Sequence, residues 1–124
     1  MYQVVNGEHG TARQASLGSP EVALAGKTGT SQVRRISRAE RATTVRKNED
    51  KPWEERDHAL FVAFAPYREP RYALAVVVEH GGSGAAAASP IARDVMAKAL
   101  ELDPIRARPT VSADRRPPPT GERT

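Results

Sequence analysis

The chain has 124 residues, a formal net charge of +4 and no cysteine. That length supports one modest domain, and the missing cysteine excludes both a disulfide framework and a thiolate metal site. No run of about 18 apolar residues exists to span a membrane, and residues 1–10 lack the basic-then-apolar pattern of a signal peptide.

Residues 1–6 predict the last turns of a helix, stopped at Asn6-Gly7 by a glycine able to adopt the left-handed conformation. So short a helix does not nucleate alone. Residues 7–21 are rich in turn formers: Gly7, Gly10, Gly18, Ser19 and Pro20. A strand is predicted around 25–34, and the charged segment 37–57, with Pro52 and Trp53, reads as a long loop. A loop of about 20 residues inside a compact domain is more often functional or mobile than structural.

Two apolar runs follow, "ALFVAFA" at 59–65 and "YALAVVVE" at 72–79. Their lengths and their β-branched and aromatic content suit buried strands. The link 66–71, with Pro66 and Pro70, makes them a hairpin, and "HGGSG" at 80–84 ends the second. Residues 86–102 have helical periodicity: Ile91, Val95, Ala99 and Leu102 form one stripe, Ala92, Met96 and Leu100 lie beside it, and Asp94, Lys98 and Glu101 face away. Ser89-Pro90 suits the first turn. Residues 103–124, rich in arginine and proline, read as a disordered tail.

The sum is an α+β unit of three antiparallel strands with a C-terminal helix. Both hairpin strands are apolar on both faces, so each sheet face wants a cover. One helix covers one face, and the strand at 72–79 has an unprotected edge. The sequence reads as a piece of a larger sheet domain, poorly soluble alone.

The basic balance raises the prospect of nucleic acid, but the charges gather in 34–57 and 106–123, with acidic residues interleaved in the first segment. A solvated loop explains them better than a binding patch. His58 fits a hydrogen-bonded residue at the start of a strand better than a catalytic base. His9 and His80 adjoin turn glycines and are expected at the surface, and three scattered histidines do not make a metal site. Gly81-Gly82-Ser83-Gly84 matches neither nucleotide-binding spacing and reads as a tight turn. Trp53 is expected to cap the loop or to touch a partner.

"AGKTGTSQV", residues 25–33, carries the chemistry. On a strand Thr28 and Thr30 share one face, while Lys27 and Gly29 share the other. Gly29 lets a ligand or another backbone come close. The adjacent strand edge can pair with an extended peptide, and the two hydroxyls can hold its carboxylate. The Lys27 ammonium strengthens the positive field and can assist proton movement. The N–H of Thr30 can point at a carbonyl oxygen that becomes negative during acyl transfer. Lys-Thr-Gly arises by chance in a chain of this length on the order of a few percent of the time, so its weight comes from its surroundings.

Together, "MYQVVN…GTAR", "AGKTGTSQV", "RDHALFVAFAPY" and "RYALAVVVEHGGSGAAAASPIARDV" resemble the C-terminal part of the transpeptidase domain of class B penicillin-binding proteins, nearest the elongation type. The resemblance covers residues 1 to about 102. It implies a domain portion over 1–102 with a charged loop at 37–57, followed by the 103–124 tail. It also implies cell-wall cross-linking: a serine attacks the D-Ala-D-Ala end of a stem peptide, forms an acyl-enzyme, and passes the acyl group to an amine. β-Lactams acylate the same serine. Lys27 and Thr30 are then the expected catalytic residues. Thr28, Gly29 and Thr30 bind the substrate or drug, with the Thr30 N–H in the oxyanion hole and its hydroxyl on the carboxylate. No cofactor and no metal are implied. The family is anchored in the inner membrane with its catalytic domain in the periplasm.

One departure is severe. No serine here is followed three places later by lysine: the serines at 16, 19, 31, 37, 83, 89 and 112 lead to Ser19, Val22, Arg34, Glu40, Ala86, Ala92 and Arg115. Ser-x-Asn is also absent. The expectation is a fragment, or one piece of a split gene, that is inactive alone and is completed by an N-terminal part of the domain. A reading of a different class is a small basic binding module that uses 34–47 and the tail on nucleic acid or anionic surfaces.

Overall fold

The computed structural model describes residues 1–103, and the expected tail lies outside the described residues apart from Asp103. Its frame is an antiparallel sheet, strand order β1-β2-β3, with β1 at Ala25–Ser31, β2 at His58–Ala65 and β3 at Tyr72–Val78. Cross-strand partners run from Ala25 opposite Phe64 to Ser31 opposite His58, and from Ala59 opposite Val78 to Ala65 opposite Tyr72. Three helices complete the frame: α1 at Tyr2–Asn6, α2 at Arg38–Ala42 and α3 at Ser89–Glu101. The expected α+β architecture is present.

Directly opposed residues share a face. Ala59, Phe61, Ala63 and Ala65 of β2 are all buried, and they form the core with Val5, Leu24, Ala92, Met96 and Leu100. Gly26, Thr28 and Thr30 lie opposite Ala63, Phe61 and Ala59, on this same covered face. Lys27 and Gly29 lie on the other face with Leu60 and Val62. That second face has no layer over it among the described residues: Val62 is 47% exposed and Val77 61%. The sheet is covered on one side only, as a single helix allows.

Local details correct several expectations. β1 stops at Ser31 rather than reaching residue 34. The loop between β1 and β2 holds α2 and single 3-10 turns at Asn48–Asp50 and Trp53–Glu55. The N-cap of α2 is Ser37, whose Oγ accepts the N–H of Glu40 at 3.2 Å, one half of a capping box. Gly7 does end α1, but at φ −75° it is not left-handed. A Cβ there would lie 2.5 Å from the carbonyl oxygen of Gln3, so close approach selects the glycine.

Ahead of α3 the chain makes a π-helical turn at Gly84–Ala88. The buried stripe of α3 is Ser89, Ala92, Met96 and Leu100. Ile91, Val95 and Leu102, expected inward, are exposed. The reason is at the start of the element. A Cβ on Gly84 would sit 2.4 Å from the carbonyl oxygen of Leu60 and 2.8 Å from that of Gly29, so this glycine rests on the β1–β2 backbone. That contact sets the rotation of the helix and overrides the larger apolar stripe.

Candidate functional site

β1 is an edge strand, paired on one side with β2. Its first outward group is already used: the Gly26 N–H reaches the carbonyl oxygen of Met1 at 3.4 Å, away from β2. Backbone groups along a strand alternate in direction. The N–H groups of Thr28 and Thr30 therefore point the same way as that of Gly26, out of the open edge. The Lys27 ammonium folds back along this edge and donates to the carbonyl oxygen of Thr28 at 2.9 Å. Lys27 and Thr30 are exposed, and Thr28 and Gly29 half-buried. The edge thus offers a row of main-chain donors and acceptors, two hydroxyls and one cation in a space an extended peptide could occupy.

Gly26, which sequence reasoning passed over, is more tightly constrained than Gly29. A Cβ at Gly26 would fall 2.3 Å from Cζ of Phe61, because the phenyl ring lies over that position. A Cβ at Gly29 would meet only the side chain of Leu60, its Cβ at 3.2 Å and its Cδ1 at 3.6 Å. The first glycine keeps β1 flat over the core. The second keeps Lys27's face clear.

Beyond the C-terminal end of β1, the loop before β2 is tied down. Lys51 and Asp57 are 7% and 8% exposed and pair at 3.3 Å. Asn48 Oδ1 accepts from Lys51 Nζ at 3.3 Å and from the Asp57 N–H at 3.1 Å. These residues looked like part of a solvated charge run, and burial of the pair corrects that reading. His58 is the hydrogen-bonded histidine at the start of a strand: its Nδ1 accepts the His80 N–H at 2.9 Å. His80 is half-buried rather than at the surface. Its ring lies 4.3 Å from that of Trp53 and 4.7 Å from that of His58. The described partner of Trp53 is thus the His80 turn, while 57% of its surface stays open. His9 is exposed, as expected.

The basic residues of the loop's first half are partly neutralised in place. Arg34 pairs with Glu40 at 2.7 Å and with Glu55 at 3.7 Å. The hydrogen bond to Glu40, and then its charge, hold the Arg34 guanidinium above its ordinary pKa. No group of three or more metal-ligating side chains occurs among the described residues. No helix among them is long and apolar enough to cross a membrane.

A sheet carrying Lys-Thr-Gly on its open edge, backed by a C-terminal helix, presents one motif of the set that marks penicillin-binding proteins and β-lactamases. The chain matches "Penicillin binding protein transpeptidase domain" over residues 1–97, and it belongs to that family. It is 40% identical over 96 residues to the peptidoglycan D,D-transpeptidase MrdA of Haemophilus influenzae, covering 77% of this chain and 14% of that protein. Similar solved structures include two penicillin-binding proteins. Penicillin-binding protein PBP2 of Helicobacter pylori, in its complex with MreC, superposes with a TM-score of 0.63 at 35% identity over 82% of this chain and 16% of its own. Pseudomonas aeruginosa PBP2 in complex with WCK 5153 gives 0.57 at 39% over 83% and 18%. The chain therefore spans a small part of the length of the relatives it matches.

Proposed function

We propose that the chain forms one wall of the substrate pocket of a peptidoglycan D,D-transpeptidase. In this reading Lys27, Thr28, Gly29 and Thr30 receive the D-Ala-D-Ala end of a stem peptide, or a β-lactam in its place. The observation that carries it is the open edge of β1, which presents the outward N–H groups of Thr28 and Thr30 beside an exposed ammonium. A guest strand pairs with that edge through its main chain. The carboxylate goes to the Thr28 and Thr30 hydroxyls within the field of Lys27. The Thr30 N–H stabilises the oxyanion as the scissile carbonyl is attacked.

The attacking hydroxyl is assigned to polypeptide outside these 124 residues, since no Ser-x-x-Lys occurs within them. That polypeptide also covers the open sheet face on which Lys27 stands. The working protein is anchored at the inner membrane with this part in the periplasm, and it needs no metal or cofactor.

The test has two readouts on the purified chain. A D-alanyl-D-alanine peptide should shift the amide resonances of residues 27–30 and leave those of α3 in place. A fluorescent penicillin should leave no label that survives denaturation. A strand that ignores the peptide, or a chain that becomes covalently labelled, overturns the reading.

A further inference from the structure

We infer that the buried Lys51–Asp57 pair and the His58–His80 contact form a clasp that positions the Thr30 N–H, a role that rests on the functional reading above. The clasp is dense for a surface loop. Asn48 Oδ1 takes hydrogen bonds from Lys51 Nζ and the Asp57 N–H. Arg56 Nε donates to the carbonyl oxygen of Lys51 at 3.1 Å. The Gly82 N–H donates to the carbonyl oxygen of Asp57 at 2.9 Å. The His80 N–H donates to His58 Nδ1, and His80 Nδ1 donates to the carbonyl oxygen of Arg56 at 2.9 Å.

Two arms lead from this clasp to β1, and they end on either side of Thr30. One runs through His58, which lies opposite Ser31 in the β1–β2 register. The other runs through Gly82 to Gly84, which rests on the backbone of Gly29. His80 has φ +54°, an uncommon conformation for a non-glycine residue, so the turn between β3 and the π-helical segment needs support there. Thr30 is exposed and makes no side-chain hydrogen bond given for the described residues. Its N–H lies in the plane of the Gly29–Thr30 peptide, against which Gly84 sits, while His58 opposite Ser31 holds the strand just beyond it. An oxyanion donor works only if it is aimed before charge develops, and such aim comes from supporting groups whose own positions are locked. Lys51 and Asp57 are positioning residues: they lie beyond the C-terminal end of β1 and act through His58, Gly82 and Gly84.

The histidine tautomers follow from the same contacts. His58 must carry its proton on Nε2 alone, because Nδ1 is an acceptor. His80 must carry its proton on Nδ1, because that atom faces a carbonyl oxygen.

The experiment measures amide hydrogen exchange on the full 124-residue chain, with Lys51→Met, Asp57→Asn and Lys51→Arg. Lys51→Met and Asp57→Asn should lower protection at Gly29 and Ser31 at least tenfold while Ala63 and Leu74, whose backbone groups face each other across β2–β3, stay within threefold. Lys51→Arg, which keeps the cation, should hold protection at all four sites. A uniform loss marks a merely structural pair and overturns the proposal, as does no loss. Should the first two variants fail to fold, nitrogen spectra of the unaltered chain decide: any tautomer pattern other than His58 Nε2–H and His80 Nδ1–H overturns the clasp. Peptide titration of the unaltered chain separates the two ideas. A silent strand there removes the functional reading, whereas the exchange pattern judges the clasp.

Discussion

Gly26 and Lys27 are neighbours with opposite tolerances. A methyl group at 26 meets the Phe61 ring at 2.3 Å, and that ring is fully buried in the core. Gly26→Ala should cost about 1–3 kcal/mol by overpacking, measured by denaturant unfolding. Combining it with Phe61→Leu should cost less than the sum of the two single changes, since the pair shares one space. Lys27→Ala at the exposed edge should change stability by no more than about 0.5 kcal/mol while abolishing the amide response to a D-alanyl-D-alanine peptide. The strand holding Lys27 to Thr30 was legible in the sequence, and the role proposed for these residues rests on chemistry that is in the letters: an ammonium, a bare backbone and two hydroxyls at strand spacing. Gly26 was not, because its constraint depends on the direction of a ring 35 positions later in the chain. Lys51 and Asp57 were hidden for another reason. Two opposite charges six apart in a charged run look the same whether water or protein surrounds them.

At the scale of elements, the β2–β3 hairpin followed from apolar runs bounded by proline and glycine, and it folds where those runs lie, whereas the small and polar β1 ends earlier than expected, at Ser31. The phase of α3 did not follow. Counting apolar residues favours Ile91, Val95 and Leu102, but the seat of Gly84 on the sheet backbone turns Ala92, Met96 and Leu100 inward. A small residue at 92 also lets the helix lie close over the alanines of β2. The two phases predict different mutational patterns. Met96→Ala should cost about 2–5 kcal/mol, whereas Ile91→Ala and Val95→Ala should each stay near 0.5 kcal/mol, all measured by thermal or denaturant unfolding. A large loss at Ile91 would mean that the helix packs by its heavier stripe. The loop between β1 and β2 was legible only in outline. Its cap at Ser37 and its ties to the His80 turn come from side chains reaching back to backbone, which periodicity does not register.

At the scale of the molecule, the consequence among the described residues is a sheet with one finished face. The core side is closed by α3 and the α1 region, while Val62 and Val77 stand on the other side with about half or more of their surface open. Apolar surface left open on one sheet face marks an interface or a site of association, and finishing the burial of one such half-open valine is worth about 1 kcal/mol. Two copies of the isolated chain have every reason to cover these faces with each other. Concentration-dependent association should therefore appear in sedimentation velocity. The double variant Val62→Thr/Val77→Thr keeps the β-branched shape that suits a strand and removes much of the apolar gain, so it should weaken association about tenfold or more, a change of about 1.4 kcal/mol. Its melting temperature in dilute solution should stay within a few degrees, because neither side chain lies in the core. Unaltered association in that variant would shift the adhesive surface to the exposed Ile91–Val95 stripe of α3. The face beside Lys27 would then be free for the guest and for the polypeptide proposed to carry the nucleophile.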